Sequence, residues 1–236
     1  NLFFNFYLDF TLTNSFIYLI VVGGFLFPLL YRLTLGLGKI IPNSYQLLIE
    51  NIYIFINQSI LENSKGRGKQ FVPFVFSLFM TILALNLLGM VPYSFTITSH
   101  LVTTLTLSLM VFVSINLIMF RLHGWASFSI FLPAGAPIAL APFLVVIELI
   151  SYLFRGLSLA IRLFANMMAG HTLLKVIAGF GYQMFSSKSI FLNVNSIFPF
   201  VIVFLLTGME LGIAVLQAYV FTILTCIYLN DALNLH

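Results

Sequence analysis

The sequence contains very few charged residues. Only 7% of its 236 residues are Asp, Glu, Lys or Arg, whereas 61% are hydrophobic; a soluble domain carries about 25% charged residues. Such a chain cannot cover itself with a water-facing surface, so most of its surroundings must be lipid. The ten basic residues outnumber the six acidic ones, for a net charge of +4. They are too sparse for a nucleic-acid-binding surface, which needs a clustered basic stripe.

Cysteine is almost absent and histidine is scarce. Cys226 stands alone, which excludes an intrachain disulfide and a thiolate-bound iron–sulfur cluster. Of the four histidines only His171 lies deep in an apolar segment; His100 and His123 lie at segment ends and His236 is terminal. The sequence therefore identifies no residues for a cofactor or a metal. The N-terminus also lacks the basic region that begins a signal peptide, so we expect none.

Long apolar runs dominate the chain instead. A spanning helix needs about 20 mostly apolar residues, and residues 14–35, 71–90 and 100–120 meet this condition. The segment 42–61, "PNSYQLLIENIYIFINQSIL", begins with a proline, and polar residues interrupt its apolar positions. This pattern is typical of an amphipathic helix in the membrane interface. The polar loop "ENSKGRGKQ" (62–70) follows it.

Two longer apolar segments complete the chain. Residues 142–179 contain no proline after Pro142 and no turn cluster, so they predict one helix of roughly 55 Å, against a hydrocarbon core of about 30 Å. Residues 197–229 predict a second, with Pro199 in its first turn. The predicted fold is all-α: upright spanning helices, one interfacial amphipathic helix, and a C-terminal hairpin of two long, strongly tilted helices, beyond the usual tilt of about 20°.

We expect a single membrane domain over residues 1–236. Its parts are a first span (1–41), the amphipathic helix and loop (42–70), a helical hairpin (71–121) and the tilted hairpin (142–236).

Basic residues in the loops predict the orientation. If the N-terminus lies outside, six of them share one side and Lys188 lies opposite. The six are Arg32, Lys39, Lys65, Arg67, Lys69 and Arg121. The positive-inside rule then makes that side, where the C-terminus also lies, the cytoplasm, or the matrix in an organelle.

Several ionisable residues lie inside the apolar segments, where charges are costly and by default mark a functional path. Glu148, Arg155 and Arg162 are seven residues apart and therefore share one helical stripe, which Asn166 continues. Three charges facing lipid would be intolerable, so we expect this face to meet protein or water.

An antiparallel hairpin would bring these residues close to polar residues of the last helix. Glu210 and Gln217 are seven residues apart there. One register pairs His171 with Glu210 and, within a residue or two, Arg162 with Gln217. The sequence thus predicts a His–Glu pair near one end of the hairpin and Arg162 at mid-depth.

This set of residues suits proton transfer. Imidazole and carboxyl groups gain and lose protons near neutral pH, whereas arginine keeps its charge. A fixed charge between two titratable clusters would interrupt a proton path and hold a passing carboxylate ionised. Structural roles stay open: Arg162 could form an ion pair with Glu148 or Glu210, His171 could be a hydrogen-bonded interior histidine, and the two amides could join helices.

Four segments resemble one family, the a subunit of F-type ATP synthase of the mitochondrial kind. "ELISYLFRGLSLAIRLFANMMAGH" (148–171) and "LTGMELGIAVLQAYVFTIL" (206–224) are similar to its two signature helices. "LLGMVPYSFTITSH" (87–100) and "LPAGAPIALAPFLVVIE" (132–148) support the resemblance, which covers roughly residues 70–236.

The resemblance implies a stator subunit of the Fo motor. It would form two offset half-channels and couple proton flow across the mitochondrial inner membrane to rotation of a c-ring, and so drive ATP synthesis. The chain itself would hold no nucleotide-binding or hydrolytic site. Its implied partners are the c-ring, the peripheral stalk and other Fo subunits, membrane lipids and protons. The N-terminus would lie in the intermembrane space and the C-terminus in the matrix.

The resemblance also implies roles for single residues. Arg162 matches the essential arginine that faces the ring's proton-carrying carboxylate. The residues matching the half-channel open to the intermembrane space are His171 and Glu210, with Asn166 and Gln217 nearby. Those matching the matrix half-channel are Glu148 and, as a second arginine, Arg155. Bacterial members tend to carry the acid and the base at the His171 and Glu210 positions the other way round, so this sequence sides with mitochondria.

Two other membrane functions compete with this interpretation. A respiratory-chain subunit with a bis-histidine haem needs histidine pairs at membrane depth, and a haem spectrum would reveal it. A secondary transporter often shows internal repeats, which we do not find here. Proton flux through the purified chain alone would favour the transporter.

Overall fold

The computed structural model describes residues 13–34, 42–64, 67–91, 94–131, 141–187 and 190–233. Their regular elements are all helical, with no strand among them, so the predicted all-α fold class is confirmed. Parts of the predicted topology fall outside these ranges. They are most of the proline-bearing connector (132–140), Lys39, Lys65 and Lys188.

Four helical stretches are long and apolar enough to cross a membrane. They are Gly68–Gly89, Leu101–Ser127, Pro142–Phe185 and Asn193–Leu233. Large apolar side chains such as Phe204 (79% exposed) cover the outside of these stretches. An apolar exterior of this extent suits contact with lipid or with other membrane subunits rather than with water.

The first two helices lie at the predicted positions. Helix α1 is Asn14–Thr34 and contains Pro28; its apolar run in the described residues, Asn14–Pro28, is shorter than the four stretches above, so the span predicted for 14–35 stays a prediction. Helix α2 is Ser44–Ser64. Its Ile49, Ile56 and Ile60 are buried, and Gln46 and Gln58 donate to Glu50 and Glu62 along the helix. Its exposed side also carries large apolar side chains such as Leu48 and Ile54, so the interfacial amphipathic helix stays a prediction.

Helices α3 and α4 follow one another as predicted. Helix α3 is Val72–Gly89, and a short 3₁₀ turn over Ile97–Ser99 leads into α4, Leu101–His123. Within the described residues, however, α3 packs mainly on the long helix Ile197–Leu233 and α4 mainly on the long helix Ala141–Phe185, so they do not form the packed hairpin expected over 71–121. The residues that α4 buries are spaced three or four apart, so they form one stripe facing the core. They are Thr104, Ser108, Val111, Ile115 and Met119.

Helix α5 is one unbroken helix over Ala141–Phe185. Its 45 residues make it about 68 Å long at the usual rise per residue. It extends the predicted 142–179 helix by almost two turns, because no proline or turn cluster ends it earlier. The long helix is therefore confirmed; its tilt stays a prediction.

The chain returns through the short helix α6 (Ile190–Asn195) to α7, Ile197–Leu233. Helix α7 runs antiparallel to α5, since contacts at later α5 positions involve earlier α7 positions. This hairpin brings the polar residues of the two helices together.

Candidate functional site

Polar contacts join α5 and α7 at three levels. Arg155 contacts Asp231, Asn166 contacts Gln217, and His171 contacts Glu210. The residue numbers within the pairs sum to 386, 383 and 381, which is close to one constant register. The antiparallel hairpin predicted from the sequence is therefore present.

The His171–Glu210 pair forms as the register predicts. Nδ1 of His171 lies 3.3 Å from Oε1 of Glu210, and Glu210 is only 4% exposed. Among the described residues neither carboxyl oxygen has an aligned hydrogen bond, and neither does Nε2 of His171. A buried acid in contact with a partly buried base, each with an unused hydrogen-bonding atom, can exchange protons with water or with its partner.

This pair opens into a cavity of about 1080 Å³ between α5, α7 and the α3–α4 connection; we name it the His–Glu pocket. Besides the pair, the pocket is lined by polar side chains to which the sequence analysis gave no role. They are Ser94, Thr96, Ser99, His100, Thr172, Lys175 and Thr207. Hydroxyl and imidazole groups can hold ordered water, so this pocket can hydrate the pair. The cluster of hydroxyl-bearing residues in "YSFTITSH" is the sequence pattern that could have indicated a polar pocket wall.

Gly170 allows Glu210 to approach helix α5. A Cβ atom added at Gly170 would lie 2.5 Å from Oε1 and 2.9 Å from the carboxyl carbon of Glu210. These separations are far below van der Waals contact, so any side chain at this position would displace the carboxyl group.

We therefore expect Gly170→Ala to slow proton exchange between His171 and Glu210 by about tenfold, because a displacement of about 1 Å at a reacting group typically costs that much or more. Proton flux into liposomes that contain the chain with its native membrane partners measures the effect. Gly179→Ala is the matched control, since its Cβ would meet nothing within 4 Å. Equal rates for the two variants would contradict this interpretation.

Asn166 and Gln217 form the middle contact. Nδ2 of Asn166 donates to Oε1 of Gln217 at 3.0 Å, and Gln217 is 5% exposed. The predicted pairing of Arg162 with Gln217 is wrong: the observed register brings Gln217 one turn further along α5, to Asn166. This contact pairs one amide donor with one amide acceptor without burying the guanidinium charge, which would be costly.

Arg162 differs from Glu148, Arg155 and Glu210, which form ion pairs within the chain. Its side chain lies on the exposed face, and the described residues provide neither an ion pair nor a hydrogen bond to it; the same holds for Lys175, which lies nearer the end of α5. The structural alternative, an ion pair with Glu148 or Glu210, is thus not formed. An exposed guanidinium on an otherwise apolar helix needs a partner from outside the chain.

The third contact lies towards the N-terminal end of α5. Arg155 lies 3.6 Å from Glu148 on its own helix and 3.3 Å from Asp231 of α7. Its guanidinium also lies 5.9 Å from the centre of the Tyr228 ring, within cation–π range. We name Glu148, Arg155 and Asp231 the Arg155 cluster. Sequence reasoning missed Asp231, although its spacing from Glu210 by 21 residues, three heptads, placed it on the same stripe.

These features follow one another along α5. His171 lies nine residues beyond Arg162, about 13 Å along the helix axis, and Glu148 lies fourteen before it, about 21 Å. From the C-terminal half of α5 towards its N-terminus, the helix therefore passes the acid–base pair shared with α7, then the exposed Arg162, and then the half-buried Arg155 cluster. In the described part of the chain no group of three or more His, Cys, Asp or Glu residues could hold a metal ion.

Comparison with known proteins shows which family the chain belongs to. Residues 12–230 match the family model described as ATP synthase A chain. ATP synthase subunit a of Marchantia polymorpha is 50% identical over 97% of this chain and 92% of its own length. The subunit a of Brassica napus is 49% identical, over 98% and 90%, and that of Chondrus crispus 47%, over 97% and 90%. These matches favour the resemblance over a respiratory-chain subunit or a transporter: the chain belongs to the ATP synthase A chain family.

Proposed function

We propose that this chain is the stator a subunit of a mitochondrial F-type ATP synthase, and that it carries protons through two half-channels separated by Arg162. The family and the four apolar helical stretches support a multi-pass membrane subunit of the ATP synthase complex. The observation that carries the finer proposal is Arg162 itself, exposed and without a partner among the described residues.

A carboxylate on a neighbouring subunit is the partner that suits Arg162. Near a protein surface two opposite unit charges 4 Å apart attract by about 4 kcal/mol, which is enough to keep a passing carboxylate ionised. A ring of subunits, each with one carboxylate, would present these groups to Arg162 in turn. Since arginine cannot release its proton, no proton crosses this point except on the ring.

The surface around Arg162 is suited to a moving neighbour. Small residues lie on the same exposed faces of α5 and α7, and they are Ser158, Ala165, Ala169, Gly208 and Gly212. A Cβ at either glycine would meet nothing within 4 Å inside the chain. Small residues let a second helix approach closely, and they offer little steric hindrance to a helix that moves past them.

The His–Glu pocket serves as the half-channel open to the intermembrane space. A proton enters the pocket, reaches the His171–Glu210 pair, passes the Asn166–Gln217 amides, and neutralises the ring carboxylate near Arg162. The neutral carboxyl group can then turn into lipid, where a charged one could not.

The Arg155 cluster serves as the half-channel on the matrix side. After nearly a full revolution the ring carboxyl reaches this cluster, whose fixed guanidinium favours ionisation and whose carboxylates draw the proton away. A membrane potential contributes about 2.3 kcal/mol per proton per 100 mV to this passage. The loop charges support an N-terminus in the intermembrane space and a C-terminus in the matrix.

Asp231→Asn tests the matrix side. It removes a half-exposed ion pair with Arg155, and such pairs contribute up to about 1 kcal/mol, so we expect proton-driven ATP synthesis to fall about two- to fivefold. The double variant Arg155→Gln with Asp231→Asn should lose little more than the more affected single variant. Independent, additive losses would contradict a shared role.

Cysteine cross-linking tests the proposed ring contact. In a Cys226→Ala background, a cysteine at Ala165 or Gly212 should form a disulfide with a cysteine on the outer helix of the c subunit in the assembled complex, and this bond should block rotation. Val113, exposed on α4, is the control position and should not react. Cross-linking at Val113 but not at Ala165 or Gly212 would overturn the proposal.

A further inference from the structure

Asn86 is a polar side chain fully buried in α3, at 0% exposure. Its Nδ2 donates a hydrogen bond to the backbone oxygen of Ala214 in α7, at 3.1 Å. Its Oδ1 is buried and has no hydrogen-bond partner among the described residues. The NH₂ group of Asn86 therefore joins α3 to α7, whereas its carbonyl oxygen is a buried acceptor without a donor among the described residues.

Gln217 has the complementary group. Its Oε1 accepts from Asn166, while its buried Nε2 has no partner within the described part of the chain. Gln217 follows Ala214 by three residues, so the two lie on neighbouring positions of one face, about 4.5 Å apart along the axis. The unpaired acceptor belongs to Asn86, which is bonded to Ala214, and the unpaired donor belongs to Gln217, one turn after Ala214 on α7.

Buried polar groups in native proteins are nearly always hydrogen bonded, to protein or to an ordered water. We propose that Asn86 is a third amide of the path between the His–Glu pocket and Arg162, and that its Oδ1 accepts from Nε2 of Gln217, directly or through one water. The chain Asn86–Gln217–Asn166 then crosses α3, α7 and α5 and fixes the orientation of Gln217. This inference rests on the proposed function.

The position of Asn86 fits this role. Gly89, three residues later on α3, and Glu210, four residues before Ala214 on α7, both line the His–Glu pocket. Asn86 does not itself line the pocket, but it lies one helical turn from a residue that does, and Arg162 lies one helical turn from Asn166. An amide does not titrate near neutral pH, so Asn86 acts as a positioning residue that holds Gln217 and any water beside it.

The test is ATP-driven proton pumping by the complete ATP synthase in liposomes. Asn86→Leu keeps the size of the side chain and removes both hydrogen-bonding groups. We expect the maximal rate to fall about fivefold, the effect of one lost hydrogen bond. The pH at half-maximal rate should not move, because the His171–Glu210 pair is intact. A packing defect would disturb α7, and with it Glu210, so a shifted midpoint would overturn the inference.

A double-mutant cycle separates a shared role from two independent defects. If Asn86 acts through Gln217, the double variant Asn86→Leu with Gln217→Leu should be about as slow as Gln217→Leu alone. Losses that multiply would overturn the inference. Thr104→Val is the control: Thr104 is also buried and polar, but its hydroxyl donates to Leu101 O in its own helix. Its rate should be unchanged.

The outcomes distinguish this inference from the proposed function. Normal pumping by Asn86→Leu, with slow pumping by Gln217→Leu and Asn166→Leu, would refute the role of Asn86 alone. Normal pumping by all three would refute the proposed path as well. If Asn86→Leu does not assemble, Asn86→Ala, which also lacks both hydrogen-bonding groups, goes through the same cycle and is judged by the same results.

Discussion

Replacing Arg162 with alanine should reduce proton-driven ATP synthesis to background. An attraction of about 4 kcal/mol between two charges corresponds to almost a thousandfold in rate, so we expect a loss of at least 100-fold. Without the guanidinium, a ring carboxyl near this point would have no reason to release its proton, and the two half-channels would no longer be kept apart. Synthesis by liposomes with an imposed proton gradient measures the first effect, and their passive proton leak measures the second.

Two further variants of Arg162 show whether synthesis needs any positive charge at this position or one that cannot lose its proton. Arg162→Gln keeps polarity and should be as inactive as the alanine variant. Arg162→Lys keeps a charge, but a lysine in apolar surroundings can lose its proton, so it should also fail to keep synthesis coupled. Arg155→Gln serves as the control, because Arg155 is already paired within the chain and its loss should reduce synthesis only partly. Normal synthesis by Arg162→Ala would refute the proposed mechanism.

The second large effect is expected at the His–Glu pocket. Replacing both His171 and Glu210 with leucine removes the buried acid and base, leaving this part of the path without a titratable pair. Groups that transfer protons typically accelerate a reaction by about 10² to 10⁴, and we therefore expect ATP-driven pumping to slow by at least about 100-fold. The ATPase activity of the assembled complex shows whether the variant folds and assembles.

The reciprocal exchange is the sharper control for this pair. His171→Glu together with Glu210→His keeps one acid and one base in the same pocket and should retain far more activity than the double leucine variant. Thr207→Val, at the pocket wall, should have a small effect. Unchanged pumping by the double leucine variant would show that protons take another route.

Much of this organisation follows from the order of residues. The absence of proline and turn clusters after Pro142 predicted the uninterrupted α5. The heptad spacing of Glu148, Arg155 and Arg162 predicted their common stripe, and Arg155 does contact Glu148. The complementary positions of His171 and Glu210 predicted their contact. These predictions succeed because, in a helix, the spacing of two residues in sequence fixes which face each lies on and how far apart they are along the helix axis.

Other features required the tertiary structure. Gln217 pairs with Asn166 rather than Arg162, because Asn166 lies on the side of α5 that packs on α7 whereas Arg162 lies on the exposed side. The contribution of Asp231 to the Arg155 cluster depends on where the ends of α5 and α7 meet. Asn86 becomes relevant only once α3 packs on Ala214, which no periodicity in either helix reveals.

By itself, the sequence determined that this protein belongs in a membrane, which helices it forms and which side chains share each helical face, since composition and local periodicity decide these properties. The tertiary structure alone decided which polar groups meet and which are left over. Partner choice depends on interhelical distance, register and side-chain reach, and these arise from packing of all helices together. That packing pairs Arg155 within the chain and leaves Arg162 exposed on the surface.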